Sequence, residues 1–208
     1  MLKLFYAPGA CSLAPHVVLE EIGGAHEFQR VNLREGAQRA PAYLAVNPKG
    51  RVPALATDRG VLTENPAILA YLAQSFPAAD LAPLDDPFAF AKMQAFNLFL
   101  CSTVHVAFAH AFRPERYADG DAPAQAMRAK APRALADAFA LIENTLADGR
   151  PYVIGDRYTV ADPYLLVFSR WMGGRGLGSL AGFPMTAAHL ARVSNRPAVF
   201  RALAREAA

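Results

Sequence analysis

Cys11 is the residue whose type and setting best suit nucleophilic chemistry in this chain. It stands in Met-Leu-Lys-Leu-Phe-Tyr-Ala-Pro-Gly-Ala-Cys-Ser-Leu, residues 1–13, between an apolar run at 2–6 and a stretch in which Ala14, Val18 and Ile22 recur every four residues. The run reads as a strand and the recurrence as a helix, with Pro8 and Gly9 turning the chain and Ser12 as helix cap. Pro15 falls in the first helical turn, where no intrahelical N–H bond is lost. A thiol at that helix start meets free N–H groups and the positive dipole end, which stabilise a thiolate or a bound anion. The same pattern also fits Cys11 as a small buried residue in a turn, where a free cysteine is inert. Tyr6 is close enough in sequence to serve the same sulfur, although its place at the end of an apolar strand reads as packing.

Three other places carry polar groups in useful settings. Asn47-Pro48-Lys49-Gly50-Arg51-Val52-Pro53-Ala54-Leu55 is a turn-rich loop that ends in a valine–proline pair at the first residue of a strand. A cis Val52–Pro53 bond would turn the Val52 N–H and C=O outward to pair with a peptide-like ligand. In Thr63-Glu64-Asn65-Pro66-Ala67-Ile68, Asn65 reads as cap and Pro66 as first helical residue. Such a start can hold a zwitterion, its carboxylate on the N–H groups and its ammonium on Glu64, although plain capping explains the same residues. Further on, Leu98, Cys101, His105, Phe108 and Phe112 share one helical stripe, which sets a lone imidazole on an apolar face. His105 and His110 are five apart, about 140° round a helix, which excludes a shared metal. No metal is expected.

The elements that would position these residues change near residue 80. Before it the patterns alternate: a strand at 2–6, a helix at 13–22, a strand at 27–33, a short helix at 41–46, strands at 53–57 and 60–63, and a helix at 66–75. That alternation is a small α/β domain with a mixed sheet. Residues 76–87 hold Pro77, Pro83 and Pro87 with three aspartates and read as a linker. Helical patterns follow at 88–112, 123–147, 161–172, 184–194 and 197–206, with Pro132 predicting a kink or late start in the second. The domains are therefore 1–78, α/β, and 88–208, all-α, joined by 79–87. Thr159-Val160-Ala161-Asp162 is a capping box whose role is structural. Gly173-Gly174-Arg175-Gly176 lacks the lysine and hydroxyl of a phosphate loop and reads as a flexible connection.

Composition narrows the class. The 208 residues are 53% hydrophobic, enough for a well-filled core. Cys11 and Cys101 lie far apart and form neither a disulfide framework nor a zinc cluster, which favours a reducing, cytoplasmic setting. No signal-peptide pattern precedes Pro8, and no stretch approaches ~18 uninterrupted apolar residues, so no membrane is expected. The net charge is +3 with scattered arginines, which disfavours nucleic acid.

Taken together, these motifs resemble the bacterial beta-class glutathione transferases over nearly the whole chain. The match rests on Lys-Leu-Phe-Tyr-x-Pro-Gly-Ala-Cys-Ser-Leu, the Asn-Pro-Lys-Gly-x-Val-Pro-Ala-Leu loop and Leu-Thr-Glu-x-x-Ala-Ile, then His105 ahead of Phe112-Arg113-Pro114, and Gly155 to Asp162. The resemblance implies a thioredoxin-like domain followed by a helical one, a homodimer, and glutathione as co-substrate in the cleft between domains. It implies Cys11 and His105 at the glutathione sulfur, with Tyr6, Ser12, Lys49, Val52, Pro53, Glu64 and Asn65 around the tripeptide. Leu98, Phe108 and Phe112 would line the hydrophobic site. Asn65 departs from the usual serine or glycine, Val106 and Leu98 from a common lysine and asparagine, and Gly36 stands where a lysine is expected, with Arg34 and Arg39 nearby. Arg128 matches a family arginine by spacing only. The implied activity is attack of the glutathione thiolate on a small hydrophobic electrophile, with thiol–disulfide exchange at Cys11 as a second route. The alternative is a protein that binds glutathione or apolar ligands without turnover.

Overall fold

The computed structural model describes residues 1–174 and 176–207. Four short strands, β1 (Lys3–Tyr6), β2 (Glu27–Arg30), β3 (Ala54–Thr57) and β4 (Gly60–Thr63), form one sheet in the order β2-β1-β3-β4. β1 and β2 are parallel, and helix α1 (Leu13–Ile22) makes the crossover that parallel pairing requires. β3 runs antiparallel to β1, with Leu4 opposite Leu55, and β4 closes a hairpin on β3. This is the mixed sheet that the alternation predicts, in the thioredoxin-like form that the resemblance implies. β2 is shorter than the apolar pattern at 27–33 suggests, and helix α2 (Pro41–Leu44) ends two residues early.

The period of two splits β1 between two cores. Leu4 and Tyr6 join the main cluster, whereas Phe5 packs on the other face with Val31, Tyr43 and Ala54. Every residue of α1 from Leu13 to Leu19 is buried, because the helix is covered all round by the sheet and by helices α3 (Asn65–Ser75), α7 (Ala161–Gly174) and α9 (Pro197–Ala207). The main cluster is continuous across both halves, from Leu4, Val17 and Leu69 to Leu135, Tyr164 and Phe168. Cys11 therefore sits on a turn held by core on both sides.

The second half is helical, as expected. Besides α7 and α9 it holds α4 (Pro87–Phe99), α5 (His105–Phe112), α6 (Asp121–Thr145) and α8 (Pro184–Ser194). Asp86 caps α4, its carboxylate accepting the N–H groups of Phe88 and Ala89 at 2.9 and 3.0 Å. Helix α6 starts at Asp121 and is continuous through Pro132, so the proline does not delay it. Gly173 and Gly174 close α7, Gly176 follows at positive φ, and Arg175 lies outside the described residues.

One expectation needs correction. The segment between the halves is docked: Leu81 and Ala82 are buried, the Leu81 carbonyl accepts the Val160 N–H at 2.9 Å, and Arg157 pairs with Asp80 and Asp85. Prolines and aspartates mark a break in periodicity but cannot report which of the intervening residues enter the core. The run Pro87–Phe112 holds no unbroken apolar stretch of ~18 residues, as expected, although its most apolar 18-residue window has a mean hydropathy of 1.4, long and apolar enough by length and composition alone to cross a bilayer.

Candidate functional site

A cleft of about 520 Å³ opens where the turn after β1 faces the helical half. Its sheet-side wall includes Cys11, Val52, Pro53, Glu64 and Asn65, and its helical wall includes Cys101, His105, Phe108, Phe112, Tyr164 and Trp171. The Val52–Pro53 bond is cis, and the Val52 carbonyl faces the turn, accepting the Cys11 thiol at 3.6 Å.

The state of Cys11 differs from what a helix start alone suggests. Only 8% of its surface is exposed, and burial pushes the thiol up to about 12, with the Asn65 amide pulling weakly the other way. The helix start offers little: the Leu13 and Ala14 N–H groups already bond the carbonyls of Ala10 and Cys11, and Pro15 has none. Ser12 does not cap the helix either. Its hydroxyl is fully buried, accepting the Ala7 N–H at 3.1 Å and donating to the Ala7 carbonyl at 3.3 Å. Desolvation therefore outweighs the dipole, and Cys11 in the free protein is a thiol.

On the sheet side, Glu64 rather than Asn65 stands at the cap position of α3, with the backbone at φ 70°. That left-handed conformation is costly for a side chain with a Cβ, and it aims the residues around it into the cleft. Asn65 becomes the first helical residue; its buried amide donates to the Cys11 carbonyl at 3.0 Å, and its Oδ1 has no partner. Lys49 does not line the cleft. Its ammonium binds the Glu64 carboxylate at 2.5 Å and the Thr63 hydroxyl at 2.9 Å, steadying the cleft residue from behind.

His105 lies between Phe168 and Trp171, with ring centroids 5.5 and 5.4 Å away. Burial first, then the positive charges of Arg51, Arg116 and Arg113, lower its pKa to about 4, so the imidazole is neutral in ordinary buffers. A neutral ring can accept or donate one hydrogen bond but brings no charge.

Besides Lys49, three sequence-predicted residues fall outside the cleft. Tyr6 is buried, its hydroxyl donating to the Arg205 carbonyl at 3.5 Å. Ser12 is turned back on Ala7. Leu98 is 54% exposed. The reason for Leu98 is a π turn over Leu100–Val104: a wider turn takes one more residue, so a stripe drawn with α spacing slips by roughly 100° across it. Of the two arginines near Gly36, Arg34 lines the cleft and Arg39 does not; Arg128 is exposed on α6. Among the described residues no group of three or more His, Cys, Asp or Glu side chains could hold a metal ion.

Comparison with known proteins fits this arrangement. Residues 1–74 match the model of the glutathione S-transferase N-terminal domain, and residues 96–197 that of the C-terminal domain. The chain is 36% identical to glutathione S-transferase GstA of Escherichia coli O157:H7 over 208 residues, covering 99% of this chain and 98% of that one. This chain belongs to the glutathione S-transferase family. Among solved structures, a glutathione transferase homolog from Sulfitobacter with bound glutathione superimposes with a TM-score of 0.93 at 36% identity, covering 99% of this chain and 98% of that one. The bacterial beta-class enzyme of Sphingomonas chungbukensis gives 0.85 at 37%, covering 98% of each chain.

Several residues of this transferase escape a linear reading. Trp171 donates its indole N–H to the Gly9 carbonyl at 3.0 Å, and the Gly9 N–H bonds Glu206 Oε2 at 2.8 Å, so α7 and α9 grip the turn that carries Cys11. These partners are 162 and 197 positions from Gly9, and nothing local signals them. Cys101 was on the predicted stripe and could have been found; the structure brings it into the same cleft as Cys11, beside Tyr164.

Proposed function

We propose that this glutathione S-transferase joins the glutathione thiol to small hydrophobic electrophiles, working as a cytoplasmic homodimer. The observation that supports it most is the convergence on one cleft of the Cys11 thiol, the carbonyl of a cis Val52–Pro53 pair and the buried Asn65 amide. A tripeptide laid along Val52 would pair its cysteinyl backbone there and displace the Cys11 Sγ–H from the Val52 carbonyl. Its γ-glutamyl end would then meet Glu64, Asn65 and the start of α3. Freed from Val52, the Cys11 thiol would donate to the incoming sulfur and lower its pKa, so that Cys11 acts as donor rather than as thiolate. The neutral His105 is suited to a second hydrogen bond at the sulfur, and Phe108 and Phe112 to the apolar part of the electrophile. Both cysteines are free thiols, which suits a reducing compartment.

A second reading, thiol–disulfide exchange, draws on Cys101 in the same cleft. Initial rates with 1-chloro-2,4-dinitrobenzene and intact mass after incubation with oxidised glutathione, for wild type, Cys11→Ala and Cys101→Ala, test both. Loss of one thiol donor should lower the conjugation rate of Cys11→Ala by about tenfold without abolishing it. A wild type with neither turnover nor glutathione binding would overturn the proposal. An adduct lost only in Cys11→Ala supports exchange, and no adduct on Cys11 despite binding excludes it.

A further inference from the structure

Cys11 and Cys101 are far apart in sequence, yet both are free thiols lining one cleft. Cys11 faces it from the turn after β1, and Cys101 from the π turn Leu100–Val104 on the opposite wall. A π turn interrupts regular helical bonding and often marks a functional position in a helix. Here the slip that turns Leu98 out to solvent leaves Cys101 half-buried on the cleft wall. The two sulfurs are near enough that a charge on Cys101 acts on Cys11.

Tyr164 supplies an independent sign. It is fully buried among the residues lining the cleft, with its ring set against Phe168 at a centroid distance of 5.1 Å. Its hydroxyl has no partner at hydrogen-bonding distance. A buried donor left unmatched is costly, and it calls for an acceptor that arises during function. Charges on Cys11 and on Cys101 both reach this hydroxyl. Burial raises the Cys101 thiol, and the Tyr164 hydroxyl acts the other way by favouring the thiolate. The acceptor that Tyr164 is placed to meet is therefore a thiolate on Cys101.

We propose that Cys101 is a resolving cysteine, which attacks a glutathione mixed disulfide on Cys11 and makes this cleft a dithiol reductase site with Tyr164 as its positioning residue. This role rests on the exchange reading above and adds the step that follows it. In the first step the Cys11 thiolate attacks the glutathionyl sulfur of a substrate mixed disulfide. The Cys11–glutathione bond forms, the substrate's own S–S bond breaks, and its sulfur leaves as a thiolate that takes up the proton lost by Cys11. In the second step the Cys101 thiolate, held by Tyr164, attacks Cys11 Sγ. The Cys11–Cys101 bond forms, and glutathione leaves with the proton that Cys101 gave up. The protein has then lost two electrons and the substrate disulfide has gained them. Two reduced glutathione molecules restore both thiols and depart as oxidised glutathione. Without Cys101 the adduct on Cys11 waits for a second glutathione from solution.

The test incubates fully reduced wild type, Cys101→Ser and Tyr164→Phe with oxidised glutathione, quenches with acid at successive times and reads the intact mass. Wild type should pass through a short-lived glutathionyl adduct to a protein lighter by two hydrogens, with peptide mapping joining Cys11 to Cys101. Cys101→Ser should keep one glutathionyl group on Cys11 until reduced glutathione is added. Tyr164→Phe, provided that it melts like wild type, should form the internal disulfide about tenfold more slowly, the effect of one hydrogen bond to a charged group. An unchanged rate in Tyr164→Phe overturns the part given to its hydroxyl. A wild-type adduct that persists as long as that of Cys101→Ser overturns the resolving role while leaving exchange at Cys11 intact. If Cys101→Ser takes up no glutathionyl group, the exchange reading itself fails. Diamide, which oxidises neighbouring thiols without glutathione, then decides the pairing: an internal disulfide supports Cys101 as partner of Cys11, and two surviving thiols overturn it.

Discussion

His105 shows how burial and neighbouring charge act together on one side chain. An imidazole in water titrates near 6.5, but here its pKa is lowered to about 4, first by burial and then by three arginines. Between those values the unfolded chain binds a proton that the folded chain refuses. Stability from His105 is therefore fully present above pH 6.5 and is lost as pH falls towards 4. The loss is on the order of 2 kcal/mol, allowing for the part of the ring that meets solvent. Thermal melts of wild type and His105→Gln from pH 7.5 to 4.5 should show the wild type losing its relative advantage in acid. A stability difference that stays flat over this range would contradict the assignment, because all other groups cancel in the comparison. Cys11 follows the same rule with the opposite sign: burial raises an acid that is neutral when protonated and lowers a base that is charged when protonated.

At the scale of elements, the start of α7 is the best-determined helix end in the chain. The capping box was legible because its two partners are three residues apart: Asp162 Oδ2 accepts the Thr159 N–H at 2.7 Å and lies 3.2 Å from the Thr159 hydroxyl. Its other oxygen was not legible. Asp162 Oδ1 accepts the Val153 N–H and lies 2.9 Å from His189 Nε2, and all of these groups are buried. Two bonds suggest a loss of about 1 kcal/mol on truncation, as for other caps. Four buried contacts, with His189 left facing nothing, raise the expected cost of Asp162→Ala to about 3–5 kcal/mol. Chemical denaturation measures it directly, and a change below 1 kcal/mol would mean that water replaces the carboxylate. The same divide holds elsewhere. Strands, helices and the Cys11 turn follow from spacings of two to four residues and were readable. The slip of Leu98, the docking of Leu81 and the grip of Trp171 and Glu206 on Gly9 depend on a π turn or on partners far away in sequence, which periodicity does not encode.

At the scale of the molecule, one hydrophobic core runs through both halves, yet the run Pro87–Phe112 leaves much apolar surface uncovered. Only 33% of its most apolar 18-residue window is buried. Its inner side packs on α3, α6 and α7, while Phe88 is 70% and Leu98 54% exposed on its outside. Full burial of a side chain of this size is worth about 1.5–3 kcal/mol, so covering the exposed part of each is favourable. The homodimer proposed above would cover them, and in a two-fold dimer a patch meets its own copy. Glutamates placed there would add like charges from both protomers to one seam and remove apolar cover from it at the same time. Sedimentation of wild type should therefore give twice the chain mass at micromolar concentration, and Leu98→Glu with Phe88→Glu should shift it to the chain mass while the far-ultraviolet spectrum stays helical. A wild type that sediments as a monomer would sink the dimer. A double variant that remains dimeric would place the interface on another face and leave the exposed side of α4 without an occupant.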